Sequence, residues 1–79
     1  MQGDSVGAVA AFLLDATRGE VSARTVVLVL QHWVDEGLSR AEIAQAVESA
    51  DGACPPRHRP LLDGYRHAIT TQFLRPESR

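Results

Sequence analysis

Residues 25–34 read T-V-V-L-V-L-Q-H-W-V, and the way this run folds decides the fold of the chain. Wound at about 100° per residue, Val26, Val27, Val29, Leu30, Trp33 and Val34 share an arc of about 160°, wider than the apolar stripe of an ordinary surface helix. Leu28 falls on the opposite side, beside Arg24, Gln31, His32 and Asp35. As a strand, the run would need a partner, and no other segment alternates as a strand would. A helix is the consistent reading. One this apolar is either central to its own domain or partly covered by another molecule.

Outward from this run the punctuation is helical. Ser22 can cap the helix, expected over 22–36, and Gly37 ends it. Upstream, Asp4 or Ser5 can cap a first helix over 4–18, with Gly19 as its left-handed stop. Its inward face is Val6, Val9, Ala10, Leu13 and Leu14, with Phe12 on a second side. Downstream, Ser39 and Glu42 stand in capping-box spacing, and Leu38 and Ile43 are placed as a hydrophobic staple. The third helix, over 39–51, turns Ile43, Ala46, Val47 and Ala50 to one side.

Residues 53–59 are expected to form a loop stiffened by Pro55 and Pro56. Pro60 suits the first position of a fourth helix over 60–74, where a missing N–H costs nothing. Its core side is Leu61, Leu62, Tyr65, Ala68 and Ile69, with Phe73 at the margin. Gly64 within it either permits close helix approach or is merely tolerated. The tail 76–79 is expected to fray. The fold class is therefore all-α: a compact bundle of about four short helices packed around the second, in one domain over 1–79. Trp33, Leu30, Val26, Leu13, Ile43, Val47, Tyr65 and Ile69 are its expected centre.

The chain is 79 residues long, 44% hydrophobic and 23% charged, a globular rather than disordered composition. One cysteine excludes an internal disulfide and fits a reducing cytoplasm. The N-terminus lacks the basic residues of a secretory signal, and the apolar run 26–30 is far short of the ~20 residues of a membrane span. There is no lysine and no asparagine, both of which have A-rich codons, so a GC-rich bacterial or phage gene is the expected source. Charge is uneven. Residues 1–52 carry three arginines against eight acids, whereas residues 53–79 carry five arginines against two. Either the two parts attract each other within the fold, or they offer opposite faces to different partners.

Catalytic and metal chemistry find little footing. Cys54 and His58 make one loose ligand pair, with His67, His32 and Asp63 as completions, where structural zinc needs two tight pairs. No cofactor or metal is expected, and a chain this short leaves little room for a substrate pocket of several hundred Å³. The segment Gly3-Asp4-Ser5-Val6 resembles the D-S-L segment of acyl and peptidyl carrier proteins, in which a serine at a helix start bears phosphopantetheine. The resemblance covers those four residues without the helix that precedes the serine in that family. Ser5 is read as a helix cap.

The phrase G-L-S-R-A-E-I-A-Q-A at 37–46 is of the kind that opens a helix-turn-helix, but Pro55, Pro56 and Pro60 obstruct a recognition helix in the required register. Arg57, His58 and Arg59 at the start of the fourth helix, with Arg66 along it, could instead contact phosphates. Phe12, Leu28, Phe73 and Leu74 lack an obvious internal berth and could form a patch, with Arg24, Gln31 and His32 as its polar rim. The expectation is thus a non-enzymatic protein-binding module: an adaptor, docking domain or small inhibitor of the phage or mobile-element kind. Its partner is another protein, or a second copy in a homodimer through helix 2. The alternative is a small helix-turn-helix-like DNA- or RNA-binding regulator using Arg57, His58, Arg59 and the fourth helix.

Overall fold

The structure, a computed structural model, describes residues 2–74, with side chains from residue 5 onward. Four α-helices occupy Gln2–Arg18 (α1), Ala23–Asp35 (α2), Arg40–Ala53 (α3) and Arg59–Ile69 (α4). A 3₁₀ turn at Pro56–His58 leads into α4, and a π-helical turn at Thr70–Leu74 extends it. No strand occurs among the described residues. The chain is an all-α bundle. The tail 76–79 lies outside the described residues.

Local signals set most of the boundaries. The Ser22 hydroxyl accepts from the Thr25 amide at 3.2 Å and caps α2. At α3 the capping box closes in both directions: Ser39 Oγ accepts from the Glu42 amide at 3.1 Å, and Glu42 Oε1 accepts from the Ser39 amide at 2.9 Å. The end of α2 is a Schellman turn, with the Leu38 amide donating to the Trp33 carbonyl and the Gly37 amide to that of Val34. Gly37 takes the required positive φ of 122°.

The first helix ends in the same motif, with a different residue at the strained position. The Val21 amide donates to the Ala16 carbonyl and the Glu20 amide to that of Thr17, so the left-handed residue is Glu20, at φ 54°, and not Gly19. Other expectations also move. α1 begins at Gln2, which puts Asp4 and Ser5 inside its first turn rather than at its cap. α3 continues past Gly52 to Ala53 and stops because Pro55 holds Cys54 in extended geometry, at ψ 128°. The loop expected over 53–59 contains the 3₁₀ turn, and Pro60 is the second residue of α4. A Cβ on Gly64 would meet nothing within 4 Å, so that glycine serves no close approach.

Packing departs from the expected plan in one important respect. α1 and α3 run against each other more extensively than any other pair, burying Val9, Ala10, Leu13 and Ala16 with Ile43, Ala46, Val47 and Ala50. Four of those eight are alanines, whose small side chains let two helix backbones come close. α4 packs on all three other helices and buries Leu62, Tyr65 and Ile69. α2 packs mainly on α4 and buries only Val26 and Leu30 fully. The second helix is therefore a flank of the bundle, not its centre. Trp33 is accordingly half-buried instead of central, while the other seven residues expected at the centre are buried.

Two polar contacts tie the layers together. Tyr65 is buried, and its hydroxyl donates to the Val21 carbonyl at 2.6 Å, pinning α4 to the α1–α2 link. Burial pushes its phenol above the ordinary value because the phenolate would lose hydration. The buried Thr17 hydroxyl donates to the Leu14 carbonyl at 2.7 Å, which spends its only proton. The same hydroxyl oxygen lies 3.4 Å from His58 Nδ1, which ties α1 to the 3₁₀ turn before α4.

Candidate functional site

The expected patch of apolar residues does not assemble. Phe73 is buried among the core residues, and Leu74 is half-buried against them. The cause is the π turn. Its wider winding advances each residue by a smaller angle, which swings Phe73 back beneath Ile69 instead of leaving it at the margin. Phe12 finds a partner inside the chain as well, edge-on to Trp33 with ring centroids 5.4 Å apart. Such an edge-to-face pair is favourable beyond its buried area.

What remains is the outward face of α2. Leu28 is 63% exposed, the one large apolar side chain among the described residues left mostly in water. Arg24, Gln31, His32 and Asp35 surround it and are all exposed. Gln31 Nε2 donates to Asp35 Oδ1 at 3.1 Å, and His32 Nε2 lies 4.0 Å from Glu36 Oε2. Val27 and Val29 border this stripe, each half-buried. Arg24, Leu28, Gln31 and His32, four of the expected contact residues, thus do share a face. Phe12, Phe73 and Leu74 do not join them.

The basic residues of the last third take a different arrangement. Arg59 Nη1 binds Asp51 Oδ1 at 2.8 Å, and its Nη2 donates to the Asp51 carbonyl at 3.3 Å. Arg66 Nη1 stands 3.8 Å from the same carboxylate. The acidic and basic parts of the chain therefore meet at Asp51, and two of the arginines considered for phosphate contact lean on it. His58 is half-buried against Thr17, and Arg57 is exposed. Cys54 is half-buried, its thiol against the Pro55 carbonyl at 3.5 Å. Among the described residues no three of His, Cys, Asp or Glu come together as metal ligands.

One feature escaped the sequence reading. An open groove of about 550 Å³ lies where α1, the end of α2 and the start of α3 converge, so room of that size does exist. Ala8 and Val9, Trp33 and Leu38 give it an apolar lining, and Ser5, Glu36 and Glu42 its polar edge. The Schellman turn after Trp33 is the signal that could have found it, because that turn sets Leu38 near Trp33. Compared with known protein families, curated proteins and solved structures, the chain matches none. No helix of the described residues is long and apolar enough to cross a membrane.

Proposed function

We propose that this chain is a non-enzymatic protein-interaction module, an adaptor, docking domain or small inhibitor, whose contact surface is the outward face of α2. The observation that carries the reading is Leu28, 63% exposed at the middle of a ring of polar side chains. An apolar group held in water gains by being covered, and a polar rim around an apolar centre is the anatomy of a contact surface. The pairing of Arg59 and Arg66 with Asp51 weighs against a nucleic-acid role for those side chains, since part of their charge is already balanced within the chain. The single cysteine suits a reducing cytoplasm, and the lack of lysine and asparagine suits a bacterial or phage gene.

A photo-crosslinking residue placed at position 28, with a second at the exposed position 63 as control, tests this directly. The expected result is protein adducts from position 28 and none from position 63. Absence of protein adducts at 28 contradicts the proposal. Nucleic-acid adducts from a probe at position 57 would favour the regulator instead.

A further inference from the structure

Resting on that reading of α2, we infer that the surface is built to receive a second copy of this chain, with the two α2 helices antiparallel across a two-fold axis. Arg24, Leu28, Gln31 and Asp35 are spaced by four, three and four residues, the alternation of a helix–helix seam, and fall within about 60° of one another around the helix. All four are exposed.

The stripe is complementary to its own reverse. Turned end for end about a point between Val29 and Leu30, Arg24 meets Asp35 of the second copy and Leu28 meets Gln31 of the second copy. The two leucines then sit about 4.5 Å apart along the axis, close enough to cover each other. A two-fold contact repeats each of these pairings twice.

The charges argue for the same partner. Arg24 is the second residue of α2 and Asp35 its last, with Glu36 just beyond. A cation at the N-terminus and anions at the C-terminus each oppose the helix dipole, so the arrangement is unfavourable within a single α2. Antiparallel pairing places Arg24 and Asp35, the two misfit charges on the stripe, each beside its opposite on the other copy. A parallel pairing would instead bring arginine to arginine.

A contact confined to one helix of 13 residues buries less than the ~1,200 Å² of a stable complex, so the dimer is weak, with a midpoint on the order of 100 μM. Sedimentation equilibrium of the full chain up to about 1 mM tests this. The wild type is expected to dimerise, while Leu28→Asp, Arg24→Asp and Asp35→Arg each weaken association by ~10-fold or more. The double exchange Arg24→Asp with Asp35→Arg restores it, because the reversed charges pair in the same register. Circular dichroism of each variant confirms that the helices are retained.

A wild type that stays monomeric overturns the self-pairing, while protein adducts from position 28 would leave the broader contact surface standing with a different occupant. Loss of the dimer without rescue by the double exchange overturns the antiparallel register. A dimer that survives Leu28→Asp places the self-contact elsewhere and overturns the pairing, while the adducts from position 28 still decide the reading on which it rests.

Discussion

Glu20 holds a positive φ that an L side chain adopts only at a cost, because its Cβ crowds the adjacent carbonyl. Glu20→Gly is expected to raise stability by about 1 kcal/mol in urea unfolding; no gain would mean that the Schellman turn stores no strain there. Tyr65 is the chain's sole tyrosine, so its ionisation can be followed alone at ultraviolet wavelengths. Burial raises its pKa in the folded state, so its contribution is fully present below the unfolded value of about 10 and is lost as pH climbs through the folded one. Stability should fall on that alkaline side, and Tyr65→Phe should flatten the fall. The same variant removes the bond to Val21 and costs about 1 kcal/mol at neutral pH. At this scale the sequence was legible where partners lie within four residues, as at Ser39 and Glu42. It was not legible at Gly19, where the stop fell one residue later because backbone bonds to Ala16 and Thr17 choose the left-handed position.

At the scale of elements, the 3.6-residue periodicity placed all four helices, and the buried faces of α1, α3 and α4 follow it closely. The π turn at the end of α4 was not readable, since no local sequence signal marks the wider winding that carries a side chain of that turn into the core. Phe73 is that side chain, 5% exposed. Phe73→Ala should therefore cost about 3 kcal/mol or more, as for a core aromatic. A marginal Phe73 would lose well under half of that, so thermal or urea unfolding separates the two. The flanking position of α2 was equally hidden. Its wide apolar arc is compatible with burial on every side, and only the presence of α4 against one side decides that Leu28 is left out.

For the whole molecule, the uneven charge of the sequence resolves into a contact: Asp51 of the acidic part draws in Arg59 and Arg66 of the basic part. Asp51→Asn should lower stability by about 1 kcal/mol, with the difference shrinking as salt is added, because the group is partly exposed. A salt-independent loss would show that the carboxylate acts through packing. On the outward stripe of α2 Leu28 stays 63% exposed, and the proposed pairing would cover it. The most direct measurement is a dilution series followed through backbone amide resonances, from about 1 mM down to about 10 μM. The account predicts that Arg24, Leu28, Gln31 and Asp35 shift together with concentration while the amides of Ile43, Ala46 and Ala50 stay fixed. Spectra that do not change, or changes centred on α3 or α4, would contradict it.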